Sequence, residues 1–143
     1  MGFSLGVEIR VRGFAYEREL AYRLWKAGFA VLRAPASGAK VKRYIYPDVL
    51  AVRDRRVLVF EVKARREYKS ICVEGYKIGR LLEFARRAGG EAYVAVKITS
   101  AGRWAFVPAG SLRRTDRGFY CISKSELEGA PDLDELLKSS ASS

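Results

Sequence analysis

Apolar positions along this chain change their period several times, and each change marks an element. From Phe14 to Ala27 there is no glycine or proline, Leu20, Ala21 and Leu24 recur at helical spacing, and Gly28 follows as a stop. The spacing predicts a helix over Phe14–Ala27. Phe29-Ala30-Val31-Leu32 then reads as a short strand. Ala34–Tyr46 is rich in small and basic residues and reads as a loop. Pro47–Val52 and Val57–Val62 are strand-like runs around the polar stretch Arg53-Asp54-Arg55-Arg56, which predicts a hairpin. Glu74–Ala88 reads as a second helix closed by Gly89-Gly90. Ala92–Ile98 and Arg103–Val107 are strands around a Thr99–Gly102 turn, Phe119–Ile122 is a last strand and Leu133–Lys138 a short acidic helix, with Ser139–Ser143 frayed. The sum is an α/β fold, a mixed sheet of about five strands flanked by helices.

Length changes the picture little: 143 residues suit a single domain, expected to span residues 1–143, with 124–143 as a short acidic tail, partly disordered. No apolar run approaches the roughly 20 residues of a membrane span, and Met1–Arg10 lacks the apolar stretch of a signal peptide. The expectation is a cytoplasmic protein without a membrane partner. Cys72 and Cys121 offer neither a metal spacing nor a disulfide framework and read as two buried or half-buried thiols.

Two features of composition narrow function. The chain has no histidine, which removes Ser-His-Asp and Cys-His catalysis, zinc fingers and histidine-based nucleases. The net charge is +11, and it is unevenly spread: Met1–Ser123 carries 25 basic against 11 acidic residues. A polyanion is the natural partner, although a merely soluble basic surface has the same composition.

The hairpin carries the strongest chemical signal. A turn at Arg53–Arg56, or a tighter one at Asp54-Arg55, pairs Val52 with Val57 and, further along, Asp48 with Glu61. Directly opposed residues share a face, with Cβ atoms about 5 Å apart. Glu61 interrupts the apolar run Val57–Val62, and Lys63, two residues on, shares its face. Hard oxygen donors so placed suit Mg²⁺, which lowers the pKa of a bound water and neutralises a phosphate, while a lysine orients the water or stabilises the transition state. A plain surface network has the same spacing, since Glu-x-Lys is common. Glu17 lies on the apolar face of the first helix and points toward the sheet, either to this cluster or to a partner among Arg18, Arg23 and Arg33.

Pro47-Asp48 followed by Glu61-Val62-Lys63 resembles the PD-(D/E)xK nuclease pattern. More of the chain agrees. Arg12-Gly13-Phe14-Ala15-Tyr16-Glu17-Arg18-Glu19-Leu20, Arg33-Ala34-Pro35-Ala36-Ser37-Gly38 and Leu82-Glu83-Phe84-Ala85-Arg86-Arg87-Ala88-Gly89-Gly90 resemble segments of the archaeal Holliday junction resolvases of the Hjc type. The resemblance covers roughly Arg12–Leu137. It implies a homodimer with a type II restriction-endonuclease-like fold that binds four-way DNA junctions and nicks two opposed strands symmetrically in recombination and repair. It further implies Asp48, Glu61 and Glu17 as ligands of Mg²⁺, with Mn²⁺ substituting, Lys63 as the catalytic lysine and Ser37 at the scissile region. Arg12, Arg18, Arg33, Lys40, Lys42 and Arg43 are then basic DNA contacts, and Leu81 and Phe84 dimer contacts. Replication or repair factors would be further partners, and the site of action would be the nucleoid. Competing readings are another repair nuclease of the same fold, a non-catalytic junction-binding module and an RNA-processing nuclease.

Overall fold

The computed structural model describes residues 15–35 and 46–139. Helix α1 (residues 15–26) ends at Gly28, whose φ of 98° lies where only glycine is unstrained. The helix buries Leu20 and Leu24 together with Phe29 against the sheet. Glu19 pins it laterally by accepting hydrogen bonds from Lys97 Nζ at 2.6 Å and Trp104 Nε1 at 2.7 Å.

Strands β1 (Ala30–Arg33), β2 (Val49–Arg53) and β3 (Arg56–Arg65) form an antiparallel meander. The β2–β3 turn is the tighter of the two that the sequence allows: Asp54 and Arg55 both have positive φ, 49° and 70°, as a two-residue type I′ turn requires. That turn sets the register from Arg53↔Arg56 through Val49↔Phe60. Strand β4 (Ile71–Glu74) leads into helix α2 (Gly75–Ala88), which crosses over to β5 (Glu91–Ile98), parallel to β3; β6 (Arg103–Pro108) returns antiparallel. The main sheet therefore has five strands in the order β1-β2-β3-β5-β6, the expected mixed sheet, with ten-residue β3 at its centre. A 3₁₀ turn at Ala109–Ser111 leads to a second sheet of three strands, which the sequence reading did not foresee. It joins β4 to β8 (Phe119–Ile122) and β8 to the two-residue β7 (Arg113–Arg114).

Side chains alternate across the main sheet and feed two cores. Leu58, Phe60, Trp104 and Phe106 face α1. Val59, Val94, Val96 and Ile98 face α2 and the small sheet. Leu81 is only 2% exposed within this second core. This corrects the expectation that Leu81 meets a second copy, because the chain's own core already takes it in. Phe84 is half-buried at the margin of the same core.

The segment from Lys124, expected as a loose acidic tail with one short helix, is docked. Helices α3 (Lys124–Gly129) and α4 (Leu133–Lys138) each begin with a reciprocal capping box, Ser123 with Glu126 and Asp132 with Glu135. Leu127, Leu133 and Leu136 are buried. Arg56 fastens α4 by donating to the carbonyls of Leu136 and Leu137 at 3.3 Å while its guanidinium forks onto Glu91. Residues 140–143 lie outside the described residues. Among the described residues no helix is long and apolar enough to cross a membrane.

The two cysteines also differ from expectation. Cys72 and Cys121 stand directly opposite in the β4–β8 pair, with Cα atoms 4.1 Å apart, and form a disulfide rather than two free thiols. The bond closes a loop with a sequence separation of 49. Reduction, or the double variant Cys72→Ser/Cys121→Ser, is expected to lower stability by about 2–4 kcal/mol. Thermal melts with and without reductant, alongside thiol labelling of the unfolded chain, check this; identical melts of the labelled and crosslinked forms contradict it.

Candidate active site

The site grows out of the open end of the β2–β3 hairpin. Asp48 stands one residue before β2, and its N–H donates to the Phe60 carbonyl at 2.9 Å. Its Oδ2 accepts the Val62 N–H at 2.8 Å, so a carboxylate takes the place of the next ladder acceptor. The paired ladder ends at Val49↔Phe60, one step short of the Asp48–Glu61 pair expected from the turn, and the two carboxyls lie close enough to repel one another. By alternation Glu61 and Lys63 share the α2-facing side of β3 with Val59. Lys63 Nζ lies 3.7 Å from Glu61 Oε2, and these side chains are 20% and 13% exposed.

Burial of like charges dominates the electrostatics. Burial pushes the Glu61 carboxyl up from 4.5 to about 7, and repulsion by Asp48 adds to it; Lys63 and then Lys77 oppose the shift. Asp48 is raised as well, first by burial, against the Val62 hydrogen bond and the attraction of Lys63 and Lys77. Glu17 is pushed to about 7 by burial and then by Asp48, with Arg33 opposing.

The structure brings Asp48, Glu61 and Lys63 together. Glu17 reaches the margin of the cluster from α1, close enough to feel Asp48, and its Oε1 lies 3.9 Å from an Arg33 nitrogen. It does not complete a three-ligand cage: among the described residues no group of three or more His, Cys, Asp or Glu could hold an ion. Two largely buried carboxylates that repel one another still fit a hard cation, because Mg²⁺ takes only one or two carboxylates and fills the rest of its shell with water and phosphate oxygen. Arg18 is exposed on α1. Arg12, Ser37, Lys40, Lys42 and Arg43 lie outside the described residues.

Lys77 was not anticipated. It stands in the first turn of α2, its Nζ 3.5 Å from Glu74 Oε2, and its charge acts on both Asp48 and Glu61. The available signal was its place at the start of the helix that crosses over the central strand.

The chain is also similar to known proteins over most of its length. The family model described as archaeal Holliday junction resolvase (Hjc) matches residues 8–143. The crossover junction endodeoxyribonuclease Hjc of Sulfurisphaera tokodaii is 37% identical over 127 residues, covering 89% of this chain and 86% of that one. Its counterpart from Archaeoglobus fulgidus is 39% identical over 111 residues, 78% of this chain and 79% of that one. The solved structure of Archaeoglobus fulgidus Hjc, a Holliday junction resolvase, superposes with a TM-score of 0.74 at 34% identity, covering 87% of this chain and 94% of that chain. The mixed sheet and flanking helices thus match a solved fold.

The charge pattern has a measurable sign. Glu61 holds its proton more tightly folded than unfolded, so its ionised form costs stability as pH rises from 4.5 past about 7. Without metal, Glu61→Gln is expected to melt higher than the parent chain at about pH 8, and the gain is expected to vanish near pH 4. Calorimetry at the two pH values checks this; equal melting temperatures at the higher pH would mean that Glu61 is not held against a repelling partner.

Proposed function

The chain belongs to the family of archaeal Holliday junction resolvases of the Hjc type, and from that premise we propose that it resolves four-way DNA junctions as a metal-dependent endodeoxyribonuclease, nicking two opposed strands symmetrically. The observation that carries the chemistry is the approach of the largely buried Asp48 and Glu61 carboxyls, which repel one another, with Lys63 Nζ 3.7 Å from Glu61. Asp48 and Glu61, with Glu17 at the margin, are the residues to hold Mg²⁺ or its substitute Mn²⁺. Such an ion supplies a water of lowered pKa and neutralises charge on the phosphate. Lys63 is placed to donate to the attacking water or to a non-bridging phosphate oxygen as negative charge builds there. Lys77 adds a second positive charge on the α2 side. The Val62 hydrogen bond fixes the Asp48 carboxylate so that its free oxygen keeps one direction.

Affinity has a separate source. Phosphate contacts from a body of 25 basic residues give binding that falls with salt and does not depend on the carboxylates. Symmetric cutting calls for two copies of the one carboxylate cluster related by the two-fold axis of the junction, which an isologous dimer supplies. Half-buried Phe84 is the remaining candidate for its interface. The place of action is then the nucleoid.

Asp48→Asn is expected to abolish Mg²⁺-dependent cleavage of a four-way junction while leaving junction affinity within about twofold. Cleavage at the parent rate sinks the metal assignment. In a second experiment, Phe84→Arg is expected to shift the mass measured by light scattering from dimer toward monomer with the circular dichroism of a folded chain and to lose paired nicking. A variant that stays dimeric removes Phe84 from the interface.

A further inference from the structure

Beside the carboxylate cluster the fold presents two exposed aromatic side chains that its core does not use. Tyr76 is 57% exposed and Phe119 is 38% exposed. Gly75 and Gly118, the residues just before them, are joined by a hydrogen bond from the Gly75 N–H to the Gly118 carbonyl at 2.9 Å. The approach is so close that a side chain on Gly75 would collide with that carbonyl. Both aromatics therefore project from one backbone junction between α2 and the β7–β8 turn.

That junction adjoins the active site. Phe119 pairs with Glu74 in the small sheet, which sets their Cβ atoms about 5 Å apart on one face. The Glu74 carboxylate is 3.5 Å from Lys77 Nζ, and Lys77 acts in turn on Glu61. Lys77 also offsets the one acid on this path that would repel a phosphate. The surroundings hold one further acid, Asp116, exposed in the turn beside Phe119, against three arginines. The Arg80 guanidinium lies over the Tyr76 ring, 5.1 Å from its centroid. Arg114 reaches Gly118, with a guanidinium nitrogen 3.8 Å from where its Cβ would stand, and Arg117 is exposed in the turn. The turn is stiff: Thr115 N–H donates to the Phe119 carbonyl at 2.7 Å, and Phe119 N–H donates to the Thr115 hydroxyl at 3.2 Å. The Cys72–Cys121 bond staples β4 to β8 two residues from Phe119.

Exposed aromatic faces held rigidly among guanidinium groups are the chemistry that takes nucleobases, because every base has a stacking face and every nucleotide a phosphate. We propose that Tyr76 and Phe119, flanked by Arg80 and Arg114, form a stacking platform for an unpaired base of the substrate strand next to the scissile phosphate. This rests on the junction-cleaving reading above and adds what that reading lacks, a means of telling a branch point from continuous duplex. In a duplex the bases are already stacked on one another, whereas at a branch the stack is interrupted and a base face is free. The platform thus confers preference for branched DNA on top of salt-dependent affinity.

The test uses the full chain, metal-free so that no strand is cut, with a four-way junction and a linear duplex of matched sequence. One junction strand carries 2-aminopurine beside the cleavage position. Tyr76→Leu/Phe119→Leu keeps apolar bulk but removes the aromatic planes; circular dichroism verifies the fold, and Tyr76→Phe/Phe119→Trp serves as rescue. The leucine variant is expected to bind the junction about tenfold more weakly and the duplex within about twofold, with the 2-aminopurine signal of the parent chain lost and then restored by the rescue variant. Unchanged junction affinity and an unchanged signal overturn the platform, and so does equal weakening on both DNAs. If the leucine variant does not fold, the single variants Tyr76→Leu and Phe119→Leu are read by the same criteria. Failure of the function reading is separate: the parent chain with Mg²⁺ would then cut no four-way junction at all.

Discussion

Two residues at a turn decide where two carboxylates meet. Because Asp54 and Arg55 close the β2–β3 hairpin in a type I′ turn, every pair along the ladder is fixed, and a slip of one residue would send Glu61 to the opposite face of the sheet. The apolar partners reinforce the same choice. Leu58 and Phe60 belong to the core under α1, while Val59 belongs to the core under α2, so a shifted register would empty both. The site is therefore specified by packing that lies away from it.

This placement has an energetic tension. Glu61 and Asp48 are largely withdrawn from solvent near each other, and the lysines from β3 and α2 compensate only in part, since both carboxyls remain raised. A fold selected for stability alone would put apolar residues there. The surrounding ties show how the tension is contained. Asp48 is held by a backbone donor, α1 is anchored by Glu19 across β5 and β6, and Arg56 ties the far end of β3 to Glu91 and α4. Strain at one end of the central strand is offset by polar ties at the other.

The parts legible in the sequence are those whose information is local. The hairpin was readable because strand alternation and a polar turn lie side by side, and α2, β5 and β6 because their apolar periods end at glycines. What escaped depends on pairing at a distance. Strand β7 is two arginines with no apolar pattern, and it exists only because β8 is beside it. The disulfide needed β4 to face β8 across α2, β5 and β6. Leu81 was misassigned because the number of apolar residues on α2 does not tell whether a second layer of the same chain covers them. Helix α3 did have a local sign in the Ser123-Lys124-Ser125-Glu126 start, whose capping box works only once Leu127 has a core to enter. The Asp48–Glu61–Lys63 grouping was readable for the opposite reason, as a consequence of one turn.

The crosslink between β4 and β8 also bears on the order of events during synthesis. By the time Cys121 is added to the chain, the residues of α1, the main sheet and α2 have all been made. The bond can close only after they have been made, in a step that depends on the oxidant of the surrounding compartment. A newly made chain and an aged one then share the same carboxylate pair but differ in how firmly the β7–β8 turn is moored beside it.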